Sequence, residues 1–372
     1  MTLRSAHVAG HRRVSRLVCF VLAFALVRLS AFAQTDTAPL RIGDVVAPRG
    51  QMVSGRIAVS AGADSATFIP ISVAHGARPG PVLALIAGVH GSETTPILAL
   101  QTLAARVQPS TMSGSVIFVH IANVPSFLGR TIYVGPIDGK NLNRQFPGRA
   151  DGSISERIAH ALTTEVIRRA DYVVDIHSGD ANEDLRPWTG FYARFGTDDV
   201  IKRSREMAVA FGLEYIVEFP FAPAKPEEAI YTGSAAVALG KPSFDVEVGR
   251  LGMIEPRLTA TVVDGLLSVM RHLRIIEGAP SPAKHPWFIQ QRVNLASEHD
   301  GIFYPLAQAG WYVTPGTLLG YVTDFHGRRL QEITATEPGP LLTIIATPPV
   351  KKGETIAVIA STMTRATGSQ PK

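Results

Sequence analysis

PVLALIAGVHGSETTPILALQTLAARV, residues 81–107, sets the architecture of the chain. Its first half is an unbroken apolar run, the pattern of a strand buried on both faces. Its second half, from Thr94, has helical periodicity, with Thr94 or Thr95 at the N-cap and Pro96 in the first turn. Between them stand His90 and Glu93, three residues apart, with Gly88 and Gly91 available to turn the backbone sharply. A strand that ends in an imidazole and a carboxylate delivers polar groups to the place where open α/β sheets build their sites.

The same alternation continues outward. GSVIFVHIANV (114–124), DYVVDIH (171–177), YIVEF (215–219) and PSFDVEVG (242–249) read as strands, and ATFIPISVAHG (66–76) as an alternating one. Helical patterns cover 153–170, with Ser155 a candidate cap, and 198–213, 233–240 and 255–276. Strands alternating with helices predict an α/β fold: a mixed, largely parallel sheet flanked by helices. The helical period ends near Glu277. From Trp287 onward, short strands alternate with Gly and Pro turns, which predicts a small C-terminal all-β barrel or sandwich. The expected divisions are a β extension over 34–64, the α/β domain over 65–278, the β domain over 285–362 and a disordered tail over 363–372.

The first 33 of the 372 residues are expected to be a secretory signal. A basic stretch without acids precedes LVCFVLAFALV (17–27), and small residues at Ala31 and Ala33 mark a cleavage site. The alternative, an uncleaved anchor, suffers from Arg28 and from an apolar run short of the roughly 20 residues a span needs. Arg4, Arg12, Arg13, Arg16 and Arg28 fall in this segment. Removing these 5 from 36 basic residues leaves 31 against 31 acids. Near neutrality argues against nucleic-acid binding, and the expected mature chain has no stable membrane partner. Cys19 is the sole cysteine and leaves with the signal, so a metal would need His and carboxylate ligands. An exported, periplasmic or secreted protein is expected.

Polar groups at the strand ends are the candidates for chemistry. His90 and Glu93 sit on one short loop, and His177 ends a strand 84 residues past Glu93. Two imidazoles and a carboxylate make a zinc set that leaves a fourth position open. Asp175 points to the same side of its strand as His177 and could orient it from behind. Each histidine alone would more often be a satisfied structural residue. Glu247 follows on another strand, with Arg250 as a possible structural partner. The loop FLGRTIYVGPIDGKNLNRQFPG (127–148) carries Arg130, Asn143 and Arg144, suited to gripping a carboxylate or lying solvated on the surface.

GVHGSE, DGKNLNRQFPG, DIHSGD and KPSFDVEVG, in this order and spacing, resemble the succinylglutamate desuccinylase/aspartoacylase group of the zinc-carboxypeptidase superfamily, over about residues 65 to 360. The resemblance implies one zinc ion held by His90, Glu93 and His177. Glu247 then matches the carboxylate that activates water and passes the proton to the leaving amine. Asn143 and Arg144 match the pair that grips a substrate carboxylate, and Arg130 the arginine that polarises the scissile carbonyl. The implied activity is hydrolysis of an acyl-amide, or an ester, in an N-acyl amino acid or small peptide. Export also admits a carboxypeptidase acting on peptide or cell-wall stems, and a non-catalytic binding protein could keep the fold. No G-x-S-x-G occurs, so the usual serine nucleophile elbow is missing. His326, in TDFHGRR, is read as a turn residue.

Overall fold

The strand Arg78–Ala87 lies inside the large sheet of the computed structural model, which describes residues 38–366. The expected signal segment and Cys19 lie outside those residues. Leu83, Leu85 and Ala87 face one hydrophobic core, and Ala84 and Ile86 face the other. Both faces are covered, so the strand reads as a continuous apolar run and not as an alternation.

In spatial order the large sheet runs Gln51–Val59, Thr67–His75, Ser113–Val119, Arg78–Ala87, Tyr172–His177, Ser243–Glu247, Trp188–Tyr192, Tyr215–Phe219, Trp287–Ala296, Thr355–Arg365, Gly339–Ile345, Tyr312–Val313. From Ser113–Val119 through Ser243–Glu247 the pairing is parallel. Trp188–Tyr192 enters antiparallel to Ser243–Glu247 and parallel to Tyr215–Phe219. Both flanks are antiparallel. The sheet is therefore mixed, with its parallel part concentrated in the middle. Helices Thr94–Arg106, Asp198–Phe211 and Pro256–His272 pack on one face and Ile154–Glu165 on the other.

The C-terminal β region is joined to the α/β region through this sheet. Trp287–Ala296 pairs in parallel with Tyr215–Phe219, so the boundary expected at 278–285 interrupts no sheet. A four-stranded sheet of Arg329–Thr334, Leu318–Thr323, Gly301–Pro305 and Pro349–Val350 packs on that end of the large one. Phe303, Val322 and Ile333 meet Leu341, Ile344 and Ile359 in a sandwich core. The tail expected from 363 starts too early: Met363, Thr364 and Arg365 continue the last strand and pair with Ile289, Phe288 and Trp287.

Two caps differ from expectation. Glu93, not Thr94 or Thr95, occupies the N-cap of Thr94–Arg106, and its carboxylate makes no capping bond. Ser153, not Ser155, is the N-cap of Ile154–Glu165. Ser155 instead gives its hydroxyl to Asp138 at 2.9 Å.

Phe244 is wholly buried against Phe211, while Phe325 is 76% exposed. Truncating a buried phenylalanine costs about 3–5 kcal/mol, and an exposed one within about 0.5 kcal/mol. Phe244→Ala is therefore expected to lower the denaturation midpoint sharply in urea titrations, and Phe325→Ala to leave it nearly unchanged.

Candidate metal centre and active site

Gly88 carries φ +69°, a conformation L side chains rarely adopt, and so turns the chain from the sheet into the His90 loop. Gly91 serves differently. A Cβ there would meet the Ser126 backbone at 2.2 Å, so only glycine lets the loop press against the 123–129 segment. These two residues aim His90 and Glu93 back over the sheet end. His177 closes the neighbouring strand of the sheet, in parallel register with Glu247.

The three side chains converge. Their ligand atoms all lie within 4.8 Å of one another, and no other group of the described residues does this with three His, Cys, Asp or Glu side chains. Glu93 Oε1 stands 2.7 Å from His90 Nδ1 and Oε2 stands 2.9 Å from His177 Nδ1. The far nitrogens have their own partners. His90 Nε2 is 3.1 Å from Asn141 Oδ1. His177 Nε2 is 3.1 Å from Asp175 Oδ2. That contact is short but poorly aligned, and the wholly buried Asp175 has no other partner, so it acts on His177 by charge. Asp175 thus stands where the sequence placed it. Asn141, one residue of the Asn-Arg loop, is a partner that the sequence reading missed.

The protonation states decide whether a cation fits. His90 Nε2 faces an acceptor and so carries a proton, while His177 Nε2 stands between the Asp175 carboxylate and the Asn143 amide Nδ2. Each Nδ1 faces a carboxylate oxygen, so without a metal it must carry a proton. The protein alone therefore favours positive charge on two buried imidazoles around one carboxylate. Burial opposes that charge, but Glu93 outweighs it at His90, and Asp175 and Glu93 do so at His177; both imidazoles are pushed above 6.5, His177 well above. Burial also works against the Glu93 carboxylate, yet the two imidazoles hold it at about 2. A divalent cation in place of the two Nδ1 protons leaves the net charge unchanged and gives all three groups a common partner. The donor set fits zinc.

The Asn-Arg loop is pinned over this centre. Asp138 accepts from Ser153 Oγ, Ser155 N and Ser155 Oγ, fastening the loop to the start of the Ile154–Glu165 helix. Asn143 Oδ1 accepts from Thr232 N at 2.8 Å and Thr232 Oγ1 at 3.0 Å. This fixes the amide with Nδ2 toward His177, 3.3 Å from Nε2. The amide thus reaches the outer nitrogen of His177 through Nδ2 and lines the cavity beside it. Arg144 lies with its guanidinium 4.6 Å from the Tyr231 ring centroid.

A cavity of about 550 Å³ opens beside the centre, lined among others by His90, Asn143, Arg144, His177, Asp245 and Glu247. Burial pushes the Glu247 carboxyl well above the usual range; His177 opposes this, and Glu93, Glu183 and Asp245 add to it. Arg130 is not brought in. It is exposed at the end of the short 124–129 helix and lines a separate pocket with Ser92, Thr94 and Leu251. Beside Arg144, the cavity is lined by a second arginine, Arg292, from the first strand of the C-terminal region. No local pattern marks it; only the parallel pairing of its strand with Tyr215–Phe219 carries it there. Asp180, in the DIHSGD stretch, was likewise passed over. It accepts from Tyr133 N at 2.8 Å and so ties the 130–134 loop to the His177 turn. His326 lies in an exposed turn, as read.

The catalytic-domain model of the succinylglutamate desuccinylase/aspartoacylase family matches residues 79–273. The N-alpha-acetyl-L-2,4-diaminobutyric acid deacetylase of Halomonas elongata is 33% identical over 304 residues, 79% of this chain and 86% of that protein. Among solved structures, the product-bound ectoine utilization protein EutE (DoeB) of Ruegeria pomeroyi superposes with a TM-score of 0.75 at 27% identity, covering 88% of this chain and all of that one. A succinylglutamate desuccinylase/aspartoacylase of Rhodobacter sphaeroides gives 0.75 at 25% identity, over 87% and 99%. The chain belongs to the succinylglutamate desuccinylase/aspartoacylase family, and with the deacetylase relative this supports a deacylating hydrolase.

The triad also fixes a pH response of the metal-free protein. Imidazoles raised above 6.5 give stability that is full below that pH and lost as pH climbs through their folded values. Glu93, held at about 2, contributes above 4.5 and is lost only as pH falls through about 2. In chelator, the melting temperature is expected to fall as pH rises above 6.5, and Glu93→Gln to flatten that fall. An equal fall in the variant would contradict the triad as its source.

Proposed function

We propose that this protein is a zinc-dependent deacylase that hydrolyses the amide bond of a small N-acylated amino acid. The convergence of His90, Glu93 and His177 beside a cavity that also holds Glu247 carries this reading. The Halomonas relative's name supports an acetyl group on an α-amino nitrogen as the substrate type. The apolar N-terminal segment, with its basic start and small residues near Ala33, supports action outside the cytoplasm.

Zinc held by the triad would supply Lewis acidity and make water nucleophilic near neutral pH. Glu247 takes the proton from the attacking water and returns it to the departing amine. Burial raises the proton affinity of its carboxyl, which favours its holding the proton between taking it from water and giving it to the amine. Asn143 Nδ2 and Arg144 hold the substrate carboxylate, the amide through a fixed donor and the guanidinium through its planar fork. Arg292 adds a second positive charge to the cavity wall. Arg130 stands exposed beside a separate pocket, and no step is assigned to it here.

Glu247→Gln keeps the shape of the side chain and removes its proton affinity. Zinc content is expected to stay at one equivalent while kcat for an N-acetyl amino acid drops by about 10²–10⁴-fold. Metal analysis with a released-amine assay checks both. An unchanged rate would remove Glu247 from the mechanism.

A further inference from the structure

Thr232 is wholly buried and takes no part in the cavity wall, yet it holds a side chain that does. It opens the short helix Thr232–Ala238. The first N–H groups of a helix have no partner within it and need an acceptor from outside. The Thr232 N–H finds one 89 residues back in the chain, in Asn143 Oδ1 at 2.8 Å. The Thr232 hydroxyl donates to the same oxygen at 3.0 Å. A backbone N–H can only donate, so the oxygen end of the amide must face Thr232. The Nδ2 end then faces His177 and the cavity. Reversing the amide would set two N–H groups against each other in a buried place and would offer the cavity an acceptor instead of a donor.

The residues before Thr232 extend the contact. Ile230 O accepts from Phe146 N at 3.3 Å, and Arg144 lies over the Tyr231 ring. Residues 230, 231 and 232 thus face 146, 144 and 143 in antiparallel order. Arg144 Nη1 also donates to the Asn143 carbonyl at 2.7 Å, so the two residues read as holding the substrate carboxylate form one unit. That unit rests on a firm base. Ala235 and Ala236 of the helix are buried in the core. Gly233 brings the helix start against the strand that carries Glu247, where a Cβ would lie 2.5 Å from Asp245 Oδ1. Thr232 therefore fixes the Asn143 donor relative to the strand of the proposed base.

A helix cap requires only the bond from the backbone N–H to Oδ1. The hydroxyl adds a second donor to the same oxygen and so favours one orientation of the amide over the other. Resting on the deacylase reading above, we infer that Thr232 is a positioning residue for substrate recognition. It holds the Asn143 amide with its donor end toward the cavity, and so sets how strongly the substrate carboxylate is gripped, without touching the substrate itself.

The test substrates are Nα-acetyl-L-2,4-diaminobutyrate and N-acetyl-1,3-diaminopropane, which lacks only the carboxylate. The zinc-loaded wild type is expected to favour the first in kcat/KM. Thr232→Val keeps the shape of the side chain and removes the hydroxyl. It should lower that preference by about 3- to 10-fold, the scale of one hydrogen bond. The loss should lie in KM for the first substrate, with kcat, zinc content and the second substrate little changed. Thr232→Ser keeps the hydroxyl and should hold the preference within about twofold of the wild type. In an Asn143→Ala background, Thr232→Val should change the preference no further, because the group it acts through is gone. An equal loss in that background, or a wild-type preference in Thr232→Val, overturns the positioning role and leaves the deacylase standing. Thr232→Ala, too small to clash, takes the place of the valine variant if that one does not fold. A wild type that cleaves both substrates equally removes the carboxylate grip and the positioning role with it. A wild type that cleaves neither of them, nor the Nα-acetyl forms of alanine and aspartate, overturns the deacylase reading itself.

Discussion

One buried carboxylate organises this protein. Glu93 sits between the Nδ1 atoms of His90 and His177, and every polar group behind them faces the other imidazole nitrogen. Without a cation the arrangement needs two protons it can hold only against the cost of burial. Asn141 engages the outer nitrogen of His90 and Asn143 that of His177, so the inner ones are left for a common partner. The consequence reaches the helix as well: the residue at its N-cap spends its carboxylate on the imidazoles and not on the helix N–H groups.

The fold exists to hold that carboxylate still. Parallel strands in the middle of the sheet put His177 and Glu247 side by side, and the loop after Arg78–Ala87 swings His90 and Glu93 over them. The Asn-Arg loop is tied down by Asp138 at one end and Thr232 at the other. The C-terminal region shares the large sheet and contributes Arg292 to the cavity. The substrate pocket is thus assembled from both halves of the chain.

Much of this was legible in the sequence, and the reason is physical. Strands buried on both faces leave long apolar runs, and polar residues at their ends stand out; that pattern exposed His90, Glu93, His177, Asp175 and Glu247. Asn141 was hidden because its role depends on a hydrogen bond across 51 residues. Trp188–Tyr192 was missed because it is a five-residue strand with Gly190 at its centre and no periodicity to read. Arg130 lies outside the cavity, a placement hidden because motif spacing fixes neither the direction nor the exposure of a loop side chain. The helix caps were misassigned because Glu93 and Ser155 bond elsewhere than to the helix ends.

The central claim is that the two Nδ1 atoms and Glu93 share one divalent cation. X-ray absorption at the zinc edge, on protein loaded with a single equivalent, tests it most directly. The account predicts tight uptake and a first shell of two imidazoles and a carboxylate at about 2.0–2.2 Å, with no sulfur. Failure to take up zinc, or a shell without imidazole, would contradict it.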